Sequence, residues 1–235
     1  MNNDCKYSPD DKMSYLISDN FQILMVMSRF NITLGFGDKS VRDVCQSQGI
    51  DCPTFLAVAN FISSEQSGFS TDGEPQFSLT ALMDYLKNAH TYFLDFSLPM
   101  IRRRLIEAID CTTRNNVAFL ILKFFDEMVA EVRKHMEYEN EMVFTYVGEL
   151  LDGKRHPTTS IRQFVRGHSR VNEKLSELKN IIIKYYPENG NNNMLNAVLF
   201  DIFNCEQDLT SHRQVEDCMF IPAVAVIERR LHNER

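Results

Sequence analysis

The sequence predicts an all-α protein: an antiparallel four-helix bundle preceded by a small three-helix N-terminal domain. Three observations lead there. Hydrophobic residues make up 44% of the 235-residue chain, and they recur at helical spacing with no sustained strand-like alternation. Four long segments of this kind fill the C-terminal two thirds, and short loops between long helices make antiparallel neighbours. Two of those helices carry the same ligand-type pair, His135-Met-Glu-Tyr-Glu139 and His212-Arg-Gln-Val-Glu216. Residues four apart share a helix face.

The N-terminal domain spans 1–66. Its residues 1–12 are polar. Residues 13–30 have the apolar spacing of one helix, and Gly35 and Gly37 mark a turn after it. Ser40 caps a second helix over 41–48, which Gly49 ends. Asp51 or Thr54 starts a third over about 54–63. The second and third helices have the outline of a helix-turn-helix but no basic recognition face, so a plain helical module is the better reading. Residues 63–77 are rich in Ser, Gly and polar side chains. A linker is therefore placed at 67–78, with the bundle at 79–235.

Ser78 caps the first bundle helix, 79–109, and Pro99 predicts a kink near 95–99. The second helix covers 113–151 and stops at Asp152-Gly153. The third covers 158–186. The fourth covers 194–231, with irregularities expected near 208–212 and at Pro222.

Four histidines and two glutamates organise the bundle. His90 precedes His135 by 45 residues, and His168 precedes His212 by 44. His90 and His168 are 78 apart, the two pair histidines 77, and Glu139 and Glu216 also 77. One buried histidine is an ordinary core residue, and one His–Glu pair an ordinary surface pair. Six in a repeated register point to a metal pair in the bundle core. Imidazoles plus bridging carboxylates suit iron, with manganese and then zinc behind it; calcium and magnesium prefer all-oxygen shells, and structural zinc takes thiolates. Phe93, Leu94, Val132, Phe164, Val171, Val215 and Met219 fall within a turn or two of these ligands and are candidates for an apolar lining. Glu131, Tyr92, Asp208 and Glu173 are candidates to hold imidazole N–H groups. His156 and His232 fall outside the pattern and read as solvated. Arg102-Arg-Arg104 reads as a solvated face.

A net charge of −7 and a pI near 5.4 argue against nucleic acid as a partner. No apolar run reaches membrane-spanning length, and the N-terminus lacks a secretory signal, so a cytoplasmic protein is expected. Six cysteines are scattered without a CxxC motif and read as reduced thiols. Cys45 and Cys52 share a helix face or flank a turn, with packing the ordinary role. A homodimer is open.

The two HxxxE segments with their lone upstream histidines resemble the hemerythrin-like HHE cation-binding domain over about 80–230. Within that superfamily the chain looks most like the repair-of-iron-centres proteins. That resemblance implies a bridged non-haem di-iron centre held by His90, His135, His168, His212, Glu139 and Glu216. It implies a stress-response role: repair of iron–sulfur clusters damaged by nitric oxide or peroxide, or iron supply to them. The partners it implies are iron–sulfur proteins or diatomic ligands, oxygen and nitric oxide. An oxygen or nitric oxide sensor with a signalling N-terminal module is the alternative. The additional histidine of oxygen-carrying hemerythrins has no match. The N-terminal stretch 30–45 has the helical scaffold of the repair proteins, but Gly35 and Phe36 stand where their Cys-Cys pair is expected.

Overall fold

The computed structural model describes residues 6–64, 76–109, 116–156, 158–164, 169–186 and 192–233, with the side chains of 116, 169–173 and 233 excepted. Among these residues the chain is helical, as expected. The only extended pairing among them is an isolated bridge between Lys12 and Ser40. Among the described residues, no helix is long and apolar enough to cross a membrane. The chain divides into two compact units: Met1–Ala89 with Val147–Arg162 and Ser211–Arg235, and His90–Tyr146 with Gln163–Thr210.

In the first unit, α1 (Met13–Asp19) and α2 (Ile23–Arg29) occupy the stretch expected to be one helix. Asn20 separates them. Its backbone is extended, and its side-chain oxygen accepts from Gln22 N at 3.0 Å. An Asx turn thus replaces the next helical turn. Helix α3 (Val41–Gln48) starts where Ser40 accepts from Asp43 N at 3.1 Å and ends at Gly49, which is left-handed at φ 70°. Ile50 N then donates to Cys45 O at 2.9 Å, and such a reversal favours glycine. Asp51 caps α4 (Cys52–Ser63) by accepting from Thr54 N at 2.9 Å.

These helices are fastened to α5 (Leu79–Thr91). Ser78 caps α5 through Ala81 N and is itself held by Thr54 Oγ1 at 2.9 Å. Asn88 Nδ2 donates to Arg29 O at 2.8 Å. Arg29 is only 2% exposed. Its guanidinium lies over the Tyr85 ring and donates to Tyr85 Oη at 3.3 Å. A buried cation needs such partners, because desolvation disfavours it otherwise.

The second unit contains α6 (Leu98–Ala108), α7 (Asn116–Tyr138), α9 (Ser169–Tyr185) and most of α10 (Asn192–Val215). Ion pairs link these helices in a closed ring. Arg102 grips Asp126 of α7 at 2.7 and 3.0 Å, and Arg104 reaches Asp201 of α10 at 2.6 Å. Lys174 of α9 meets Glu131 of α7 at 2.6 Å, and Lys179 of α9 meets Glu206 of α10. Arg102 and Arg104 are therefore bound to carboxylates on other helices rather than merely solvated. Each pair adds little stability by itself, but together they fix which helix lies beside which.

The long helices expected from periodicity are interrupted by wide π turns. Tyr92–Ser97 lies between α5 and α6, Glu139–Val143 between α7 and α8 (Phe144–Leu151), and Glu216–Phe220 between α10 and α11 (Ile221–Asn233). Pro99 and Pro222 sit in the first turns of α6 and α11. A proline there lacks the N–H that a continuous helix would need, so the helix restarts around it. The interruption expected near 208–212 is absent, since α10 runs straight through to Val215. As expected, Gly153 ends α8: it is left-handed at φ 79°, and Lys154 N returns to Glu149 O at 2.9 Å. Of the third bundle helix, expected over 158–186, the described residues form α-helix from Ser169 and not over 158–164, while 165–168 lie outside the described residues. Before it, Ser160 Oγ and Ile161 N donate to the Glu228 carboxylate, at 3.1 and 2.6 Å, and hold a short 3₁₀ turn (Ile161–Gln163).

Candidate metal centre

The stripe that buries each helix also delivers the polar residues. On α7 the buried positions are Ala118, Ile121, Phe125, Met128, Val132 and Met136, and the next in that three-four rhythm is Glu139. On α10 they are Leu195, Val198, Ile202, Cys205, Leu209, His212 and Val215, and the rhythm carries on past its end to Glu216, Met219 and Ala223. Carboxylates and imidazoles thus occupy places where the pattern calls for apolar side chains. A buried ionisable group without compensation is costly, so a cluster of them on core stripes signals a purpose.

His90, Glu139, His212 and Glu216 are all buried, and each offers a ligand atom within 4.8 Å of the others. Glu139 spans two imidazoles: His90 Nε2 lies 3.4 Å from Oε2, and His135 Nε2 lies 3.3 Å from Oε1. His212 Nε2 lies 3.0 Å from Glu216 Oε1. Donors sharing one ion at ~2.1 Å, at near right angles, stand about 3 Å apart. The nitrogen–oxygen separations match that arrangement. Two carboxylates in one buried group repel each other, and cations between them remove the repulsion. The donor set therefore fits a metal.

His90 is held from both sides. Its Nδ1 is 2.9 Å from Asn140 Oδ1. That oxygen only accepts, so Nδ1 carries the proton and Nε2 keeps its lone pair toward Glu139. The ring stacks on Phe144 with centroids 5.5 Å apart. His135 touches the group through Glu139 but is partly open, its side chain 28% exposed. His168 lies outside the described residues.

Of the expected lining, Phe93, Leu94, Val132, Val215 and Met219 are buried, and Phe164 is half-buried. The Val171 and Glu173 side chains lie outside the described set. Glu131 is engaged by Lys174. Tyr92 packs on Phe93 and Phe96, and Asp208 is half-buried. His156 is not simply solvated, because its Nε2 meets Glu149 Oε2 at 3.1 Å; His232 is exposed as expected. Sequence reasoning missed Asn140 and Phe144. The available signal was the repeat itself, because an Asx side chain directly follows the pair glutamate in both halves, Asn140 and Asp217.

Backbone and ligands repeat together. The π turns begin at Glu139 and Glu216, where Phe144 N donates to Glu139 O and Ile221 N to Glu216 O. π turns are rare and gather at functional sites. The family model described as the hemerythrin HHE cation binding domain matches residues 81–224. No curated protein matches the chain.

Proposed function

This chain belongs to the hemerythrin HHE cation-binding family, and from that premise we propose that it is a non-haem di-iron protein of the nitrosative and oxidative stress response. Its proposed task is to repair damaged iron–sulfur clusters or to supply iron to them. The proposed ligands are His90, His135, His168 and His212 with Glu139 and Glu216, the two glutamates bridging. The reading is carried by one observation, the buried group of His90, Glu139, His212 and Glu216.

Nitrogen and carboxylate donors favour iron over a thiolate-bound structural zinc. Bound iron would supply redox change and open positions for diatomic ligands. The chain's own residues do the rest. Asn140 holds His90 in the tautomer that presents Nε2. Glu139 turns one oxygen toward each of two imidazoles. Buried Phe93, Leu94, Val132, Val215 and Met219, close in sequence to the ligands, limit water.

The test is iron quantification and an optical spectrum, followed by incubation of the iron-loaded protein with an enzyme whose cluster has been nitrosylated. Two irons per chain are expected, with recovery beyond that given by free ferrous iron. Metal-free protein after growth in iron-rich medium would end the di-iron reading, and recovery equal to free iron would end the repair reading.

One observation favours sensing as the second reading. The N-terminal helices grip α5 at Tyr85 and Asn88, within about a turn of His90 on the same helix. A change at His90 would have a direct route to them. Nitric oxide-dependent binding of a protein partner, without turnover, would select this reading over repair.

A further inference from the structure

Away from the metal group, two thiols meet in the first unit. Cys45 lies on α3 and is buried; Cys52 is the first residue of α4 and is partly exposed. The left-handed Gly49 and the Asp51 cap shape the short connection between the two helices, which pack against each other. The two side chains come within interaction range of each other there, and Arg42 lies close enough to Cys52 to favour its thiolate. The sequence reading gave these cysteines a packing role. Packing alone does not require one buried thiol to face a second, accessible one.

We propose that Cys45 and Cys52 form a reversible redox site, a dithiol that becomes an intramolecular disulfide by exchange with a low-molecular-weight disulfide. In the first step the Cys52 thiolate attacks one sulfur of the small disulfide. A mixed disulfide forms on Cys52, and one small thiol leaves. In the second step Cys45 gives up its proton and attacks the Cys52 sulfur, and the second small thiol leaves. Two protein thiols are oxidised, and one small disulfide is reduced to two thiols. The two protons end on those leaving thiols.

The partners have unequal roles. Cys52 is the reachable attacker and Cys45 the resolving thiol behind it. Burial, reinforced by Cys52, pushes the Cys45 thiol up to about 12. Burial also raises Cys52, with the neighbouring Cys45 thiol and Arg42 opposing. Small thiolate fractions make exchange slow, so the pair responds to sustained oxidation rather than to brief bursts. The bond would tie α3 to α4 and stiffen the helices that grip α5. This site does not depend on the metal reading, because none of its residues is an assigned ligand.

The test uses the full chain, as isolated with its metal, equilibrated anaerobically against increasing ratios of oxidised to reduced glutathione. After acid quench and alkylation, peptide mapping reads the linkage. The expected product is a peptide joining residues 45 and 52 that has lost two hydrogens, reversed by excess reduced glutathione with iron content unchanged. Cys45→Ala should stop at a stable glutathione adduct on Cys52. Cys52→Ser should leave Cys45 as a thiol. Circular dichroism checks that both variants fold. Because Cys52 is partly exposed, Cys52→Ser keeps the test decisive if the buried substitution does not fold. Wild-type protein in which both cysteines stay alkylated as thiols at the most oxidising ratio would overturn the proposal. So would wild-type protein that stops at the glutathione adduct.

Discussion

Replacing Asn140 by leucine tests the metal site without touching an assigned ligand. Asn140 is exposed, so the change should not disturb the core. What it removes is the acceptor of the His90 Nδ1 proton, 2.9 Å away, on an imidazole that is 1% exposed. A neutral hydrogen bond contributes about 0.5–1.5 kcal/mol, and a buried donor left without its acceptor costs about 1–3 kcal/mol. Each ~1.4 kcal/mol is tenfold in affinity. Water at the exposed side of Asn140 would replace part of the lost bond. The expectation is therefore a loss of about tenfold in metal affinity, the lower end of the range for such supporting residues. Anaerobic competition between the protein and a chromophoric ferrous chelator measures it directly. Asn140→Asp keeps an acceptor oxygen and should bind at least as tightly as wild type. If N140L binds within twofold of wild type, or if N140D is as weak as N140L, then Asn140 does not set the His90 tautomer.

Other perturbations read the scaffold. Tyr85→Phe removes an acceptor from the buried Arg29 guanidinium and should cost about 1–3 kcal/mol in urea unfolding; an unchanged midpoint would mean the bond contributes nothing. Asp51→Ala removes the cap of α4 and should cost about 1 kcal/mol in the same assay, whereas Asp51→Asn should nearly restore it. Asp19 is held below the usual carboxylate range by hydrogen bonds from Lys6 and then from Tyr7. A depressed carboxyl stabilises fully above its unfolded pKa, and the benefit is lost as pH falls through the folded one. Asp19→Asn should therefore reduce the drop in urea midpoint between neutral and acidic pH, and an equal drop in both proteins would discount the pair.

Much of this was readable because it rests on local rules. Ser40, Gly49, Asp51, Ser78 and Gly153 mark helix ends by side-chain acceptors or by left-handed backbone, and each does so in the structure. His90, Glu139, His212 and Glu216, which the structure brings together, stood out in the sequence because the His–Glu spacing repeats in two halves of the chain. What escaped depends on events within a turn or across helices. The break at Asn20 is a competition between an Asx turn and a helix, and the apolar spacing of 13–30 does not record it. The π turn after Glu139 has no proline to announce it, in contrast to those before Pro99 and Pro222. The partners of Arg102 and Arg104 lie 24 and 97 residues away, so only the folded chain identifies them.

The two halves of the candidate centre repeat in sequence but not in access. The His135 side chain is 28% exposed and that of His212 is 5% exposed, although each lies beside its own glutamate. The His135–Glu139 pair is therefore the more open of the two to solvent. A reagent that acylates neutral imidazoles converts this asymmetry into rates. In metal-free protein with native circular dichroism, diethyl pyrocarbonate should modify His232, His135 and His156 well before His90 and His212. Peptide mapping across a time course gives the order. Modification of His212 as fast as His135 would show that local opening, rather than the static burial of one half, controls access to the centre.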